Sequence, residues 1–175
     1  MTGYSADEGI KIVPYNPEWK IRAVDEISFL HQLVGSDIEI QHFGSTAIPD
    51  CSAKDIIDIM IWAKNEADVK QLKEILTPIY QGVSSPESQV KGFLCFDKCV
   101  EINGMMRRTH HIHIQSDRKK WQRAIAFRDH LIANPAEVAD YIEIKRNASI
   151  LAPHDMTKYS ELKNNFIDNI LAQAE

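Results

Sequence analysis

Apolar residues change their period several times along this 175-residue chain, and each change marks an element. Ile10, Ile12 and Tyr15 alternate with other residues, which predicts a short strand ending at Pro14 or Pro17. Val24, Ile27, Leu30 and Val34 then recur at helical spacing, so Glu18–Val34 reads as a helix closed by Gly35. Over 38–43 the period falls to two, with Ile38, Ile40 and His42 on one face of a strand and Glu39, Gln41 and Phe43 on the other. Residues 56–62 are almost wholly apolar around a single acid, the pattern of a buried central strand. An amphipathic stretch over 66–80 carries Val69, Leu72, Ile75, Leu76 and Ile79 on one side, and 81–90, with Gly82, serines and Pro86, reads as a loop. Phe93–Ile102 and Met105–Gln115 flank Asn103-Gly104, the strongest short-range hairpin signal. The last third reads as three helices, Arg118–Ala133, 135–150 and 155–174, separated by Asn134-Pro135 and Pro153. This order predicts an α/β (α+β) domain, a small mixed sheet backed by helices with a helical C-terminal section. Residues 1–8 read as a flexible start, and 9–175 as one domain with a sheet-containing core over 9–117 and the helical section over 118–175.

Charge and composition narrow the partners. The net charge is −5, whereas affinity for nucleic-acid backbone needs clustered Lys and Arg. The basic groupings are small, Arg107-Arg108 and Arg118, Lys119 and Lys120, so a nucleic-acid partner is not expected. Cys51, Cys95 and Cys99 are odd in number and lack CxxC spacing, which reads as reduced thiols in a cytoplasmic protein. The polar, acidic start is not a signal peptide, and no apolar run approaches the roughly 20 residues needed to cross a bilayer.

Chemistry concentrates between His42 and Asp58. Gly44-Ser45-Thr46 follows a strand directly, and such a turn frees backbone N–H groups, lets a ligand approach the backbone and adds hydroxyl donors. A dozen residues on, Asp58 stands alone among Ile56, Ile57, Ile59 and Ile61. A carboxylate in an apolar strand is costly unless paired, and a divalent metal is one natural partner. Its other readings are a helix cap or an arginine partner. In Thr109-His-His-Ile-His-Ile114, alternation puts His111, His113 and Gln115 on one face and His110, Ile112 and Ile114 on the other. Two imidazoles two residues apart can share a metal or flank a phosphate.

Glycine-serine, about a dozen residues, then an acid in an apolar strand resembles the signature of the nucleotidyltransferase superfamily. The fuller string His42-Phe-Gly-Ser-Thr-Ala-Ile-Pro49 with Lys54-Asp-Ile-Ile-Asp58 resembles the GrpB branch. Val13-Pro-Tyr-Asn-Pro-Glu-Trp19 resembles the opening of that family, and Thr109-His-His-Ile-His-Ile114 its histidine strand. Phe127-Arg-Asp-His-Leu131, Asn134-Pro135 and Tyr141 with Lys145 resemble its helical section, and Tyr159, Lys163, Phe166 and Ile167 its end. The resemblance covers nearly the whole chain. It implies metal-dependent transfer of a nucleoside monophosphate from a nucleoside triphosphate to a small acceptor. Some relatives occur fused to dephospho-coenzyme A kinase, so a coenzyme A-linked metabolite is one acceptor class.

On this reading Asp58, His111 and His113 are the catalytic and metal-holding residues, with Mg²⁺ or Mn²⁺ expected and Zn²⁺ compatible with the Asp/His set. His42, Gly44, Ser45, Thr46, Lys54, Arg108, Tyr159 and Lys163 are the expected nucleotide and phosphate contacts. Lys163 lies one helical turn beyond Tyr159, so both project from one face. Trp19, Trp62 and Trp121 are expected to pack rather than stack on a base, and Met105-Met106 to fill space. The chain departs from the pattern where Met60 holds the place of a second acid, Asp55 stands where the family has Pro, and Asp50-Cys51 replaces Gly-Leu. No third acid on a later strand is evident. Two other readings follow: a nucleotide- or metabolite-binding module that has lost catalysis, or histidine-triad-like covalent transfer through His113.

Overall fold

In the computed structural model, which describes residues 9–82 and 93–173, the chain forms a five-stranded mixed sheet with helices on both faces. The helix α1 (Glu18–Val34) precedes β1 (Ile40–Phe43), a single 3₁₀ turn (Ser45–Ala47) and β2 (Ile57–Trp62). Helix α2 (Glu66–Leu76), the two-residue β3 (Gln81–Gly82) and the hairpin β4 (Phe93–Ile102) and β5 (Met105–Gln115) follow. Three helices finish the chain: α3 (Arg118–Ala133), α4 (Pro135–Leu151) and α5 (Met156–Gln173). Among the described residues, no helix is long and apolar enough to cross a membrane.

The strand order is β1-β2-β5-β4-β3, with β2 and β5 parallel and the other neighbours antiparallel. Strand alternation splits the sheet chemically. Ile57, Ile59 and Ile61 of β2, Ile112 and Ile114 of β5, and Leu94 and Phe96 of β4 form one buried core with Trp19, Leu30, Leu72 and Leu76 from α1 and α2. The opposite face carries Asp58 and Met60 of β2, paired with His111 and His113 of β5, which in turn pair with Asp97 and Cys95 of β4. A second core of Ile48, Phe127, Leu131, Val138, Tyr141 and Ile170 joins the turn after β1 to the three C-terminal helices.

The expected hairpin is present, with Asn103 and Gly104 both at positive φ (53° and 78°), the geometry of a two-residue type I′ turn. Several expectations are corrected. The N-terminal strand is reduced to one bridge, Val13 to Ala53, because Pro14 and Pro17 have no N–H for a ladder. Ile10 and Ile12 instead pack on Ala148, Ala152 and Tyr159. Val24 is exposed, and the buried stripe of α1 is Trp19, Ala23, Glu26 and Leu30; Glu26 is tolerated there because Tyr80 and Lys98 both donate to it. Helix α2 stops at Leu76, since Pro78 cannot extend the ladder. Met105 and Met106 are exposed at the hairpin tip and fill no core space. Residues 1–8, most of the loop expected over 81–90, and residue 174 of the last helix lie outside the described residues.

Candidate functional site

The turn after β1 is shaped by one glycine. Gly44 has φ +71°, and a Cβ on it would stand 2.8 Å from Asp58 Oδ2. The turn therefore lies directly against the carboxylate at the start of β2. Ser45 Oγ donates to the Tyr141 hydroxyl at 3.3 Å, which ties the turn to α4. Arg128 of α3 donates to the His42 carbonyl at 2.7 Å and to Gln41 Oε1 at 3.1 Å, which fixes α3 on the edge strand β1.

Parallel pairing of β2 with β5 sets Asp58 beside His111, with His113 two residue pairs further along the same face. Asp58 Oδ1 lies 3.1 Å from His111 Nδ1 and 3.3 Å from His113 Nε2. Burial alone would raise the Asp58 carboxyl, but the hydrogen bonds from the two imidazoles hold it well below the usual carboxylate range. Burial likewise opposes the charged form of His113, and its interactions with Asp58 and Cys95 together outweigh that and push it up. One ligand atom from each of Asp58, His111 and His113 lies within 4.8 Å of the other two. Ligands about 2.1 Å from one cation stand roughly 3–4 Å apart, so a carboxylate and two imidazoles at these separations fit a divalent metal.

These groups form the floor of a cavity of about 460 Å³ between the sheet and helices α3 and α5. Gly44, Ser45, Thr46, Lys54, Asp58, His111, His113, Tyr159 and Lys163 all line it, so most of the residues singled out in the sequence converge. Lys163 Nζ lies 4.2 Å from the Tyr159 ring centroid, as one-turn spacing implies. Burial lowers its ammonium to about 8, with Lys54 adding repulsion. Lys54 Nζ stands 6.0 Å from the same ring. With Lys120 and Arg123, which pair with Asp117 and Asp168, four cationic side chains and one carboxylate line the cavity.

Two expected contacts lie elsewhere. His42 points to the other face of β1, where its Nε2 meets Thr46 Oγ1 at 3.0 Å, and burial lowers it to about 4. It holds the turn from behind. Arg108 is not a cavity residue; its Nη1 lies 3.1 Å from His111 Nε2 and its Nε 2.6 Å from Asp97 Oδ2. Asp55 is turned away from Asp58, where Arg22 and the Trp19 indole both donate to it. Trp19 and Trp121 are buried, and the three tryptophans pack as expected.

The cavity also takes in Phe43, Tyr141, Lys120, Arg123 and Asn164, and Asp97 stands behind His111; the sequence pattern assigns none of these to the site. Phe43 was already on the correct face by alternation, and it packs edge-on to the His113 ring. Asp97 carried the same signal as Asp58, an acid within an apolar strand, Phe93-Leu-Cys-Phe-Asp97. The α3 and α5 contributions had no local signal, because only packing brings those helix faces to the cavity.

Comparison with known proteins gives a consistent result. The family described as "GrpB protein" matches residues 9–173. The glutamate-rich protein GrpB of Alkalihalophilus pseudofirmus is 33% identical over 98% of this chain and 98% of its own length. A dephospho-CoA kinase of Mycolicibacterium paratuberculosis is 30% identical over 88% of this chain, which corresponds to only 43% of that protein. Among solved structures, conserved protein GrpB from Enterococcus faecalis superposes with a TM-score of 0.75 at 29% identity, over 94% of this chain and 96% of that one. A weak similarity extends to Cid1 in complex with its product ApU, with a TM-score of 0.47 at 14% identity over 79% of this chain and 45% of that one.

Proposed function

The chain belongs to the GrpB family, and on that premise we propose that it is a nucleotidyltransferase that passes a nucleoside monophosphate from a nucleoside triphosphate to a small acceptor. The observation that carries this reading is the convergence of a phosphate-type turn, one carboxylate, two imidazoles and four cations on a single cavity in a chain of net charge −5. A triphosphate with a divalent metal is the ligand this combination suits.

Each residue then has a task. The Gly44-Ser45-Thr46 turn offers backbone donors to the terminal phosphates, with the Ser45 hydroxyl if it turns from Tyr141, and Lys54 and Lys163 neutralise them. Tyr159 lines the wall beside both lysines. Asp58, His111 and His113 hold the metal, which when bound screens phosphate charge and polarises the α-phosphoryl group. The acceptor's nucleophilic oxygen bonds to the α-phosphorus, the bridge between α and β phosphates breaks, and pyrophosphate leaves with that electron pair. The acceptor's proton passes to water.

A binding-only reading is favoured by one observation. Met60, where a second acid is expected, is buried at 2% exposure beside His113, leaving one carboxylate on β2. Covalent transfer is less favoured, because His113 Nε2, the atom that would attack, is engaged by Asp58. One experiment separates these readings. The purified chain is given labelled triphosphates, divalent cations and a panel of phosphorylated and coenzyme A-linked acceptors, and label transfer and pyrophosphate release are followed. Transfer that Asp58→Asn abolishes supports the enzyme; nucleotide binding without turnover across the panel supports the binding module. A trapped nucleotidyl-histidine on His113 would establish the covalent route.

A further inference from the structure

The histidine strand carries a second carboxylate behind the first. Asp97 pairs with His111 across β4 and β5, is 1% exposed, and presents Oδ1 3.4 Å from His111 Nε2. His111 therefore lies between two acids, with Asp58 on its Nδ1 side and Asp97 on its Nε2 side. Metal-ligating histidines repeatedly show this arrangement: one ring nitrogen faces the metal and the other donates to a buried carboxylate, which fixes the ring and raises its basicity. Although Arg108 Nε lies 2.6 Å from Asp97 Oδ2, neither Asp97 oxygen completes a hydrogen bond in this geometry. The Arg108 guanidinium compensates the charge of Asp97, and Oδ1 keeps the capacity to accept a hydrogen from His111 in the occupied state of the site.

We propose that Asp58, His111 and His113 form a nitrogen-rich site for a borderline divalent cation of the Zn²⁺ or Co²⁺ type in preference to Mg²⁺, and that Asp97 is the positioning residue that holds His111 for it. This rests on the reading of the three residues as a metal site. The donor set decides the class. Mg²⁺ requires near-octahedral oxygen coordination, whereas two imidazoles and one carboxylate match zinc and other nitrogen-accepting metals and leave a position for substrate or water.

In this geometry the hydrogen on His111 faces Asp58, not Asp97. A guanidinium only donates, so with Arg108 Nη1 3.1 Å from Nε2, that nitrogen accepts and Nδ1 donates to Asp58. A metal on Nδ1 needs the other tautomer. When it ligates a metal through Nδ1, the ring carries its one hydrogen on Nε2, where Asp97 Oδ1 accepts it once Arg108 Nη1 gives up that nitrogen. Asp97 touches neither the expected ligand nor the reacting atoms; it acts through His111.

The test uses metal binding rather than turnover. Co²⁺ and Zn²⁺ are titrated into the purified full chain with Mg²⁺ as competitor, following heat and the Co²⁺ visible spectrum. One Co²⁺ or Zn²⁺ per chain, retained against excess Mg²⁺ and lost in His111→Ala, is expected. Asp97→Asn is expected to weaken affinity by about 10- to 100-fold and alter the Co²⁺ spectrum. Ring-nitrogen NMR of the Zn²⁺-loaded wild type needs no variant and is expected to find the His111 hydrogen on Nε2. Binding that Mg²⁺ displaces on equal terms overturns the metal class. Unchanged affinity and spectrum in a folded Asp97→Asn, or a hydrogen on His111 Nδ1, overturns the role of Asp97 while leaving the metal site standing. A chain that binds none of the three cations overturns this inference together with the metal reading beneath it.

Discussion

At Gly44 the polypeptide has almost no choice of residue. Its φ of +71° is one that side chains other than hydrogen adopt at a cost, and the space a Cβ would need is taken by Asp58 Oδ2 at 2.8 Å. Gly44→Ala is expected to lower the unfolding free energy by about 1–3 kcal/mol and to displace the Asp58 carboxylate. Denaturant unfolding and metal titration of the same variant check both effects. Lys163 makes a second prediction at this scale. Its pKa is lowered to about 8, so in the free protein its positive charge is intact below that pH and is lost as pH rises through it. Triphosphate affinity is expected to be highest below pH 8 and to fall above it, while Lys163→Arg stays flat from pH 7 to 9 because a guanidinium does not titrate there. A wild-type profile without that decline would separate Lys163 from the phosphates. Much of this residue-level chemistry was legible in the sequence: Asp58, His111 and His113 stood out as polar groups in apolar strands. His42 lies off the cavity because alternation gives it the face of Ile40, and only the fold shows that this face belongs to α1 and α2.

Elements differ in how they are attached, and that difference can be measured. Helix α3 is anchored to β1 through Arg128, whose guanidinium bonds the His42 carbonyl at 2.7 Å in a partly buried setting. A second attachment of α3 to this strand region, Arg118 to Glu39, is solvent-exposed at 48% and 41%. Charged hydrogen bonds of the first kind contribute about 1.5–3 kcal/mol, and exposed pairs about 0–1 kcal/mol. Arg128→Ala is therefore expected to destabilise the protein clearly more than Arg118→Ala in parallel denaturant titrations, and to loosen the wall of the cavity formed by α3. Equal effects would mean that α3 is held by its apolar face alone. Helix boundaries from Arg118 onward followed closely from caps and prolines: Asp117 accepts from the Lys119 and Lys120 amides, and Pro135 occupies the first turn of α4. The N-terminal strand failed for a related reason, since its apolar alternation was real but its prolines withheld the donors a ladder needs.

Taken whole, the molecule is acidic yet gathers Lys54, Lys120, Arg123 and Lys163 around one cavity. Local positive potential inside a net-negative protein favours a polyphosphate and is screened by salt, over a distance of about 10 Å at 0.1 M. Triphosphate affinity is expected to fall steadily with ionic strength, and Lys120→Ala with Arg123→Ala to flatten that dependence; isothermal titration at several salt concentrations reads both. The sequence by itself determined the order of elements, the hairpin and its turn, the apolar face of each central strand and the pairing of a Gly-Ser turn with an acid. Those features depend on neighbours a few residues away, where backbone geometry and alternation act. The tertiary structure alone decided that β2 runs parallel to β5 in the register that sets Asp58 against His111 and His113, and that α3 and α5 close the cavity with Lys120, Arg123 and Asn164. It also decided that Asp97, from the hairpin's other arm, stands behind His111. Register and helix docking are set by burial of distant apolar surfaces, a cooperative effect that no local spacing encodes.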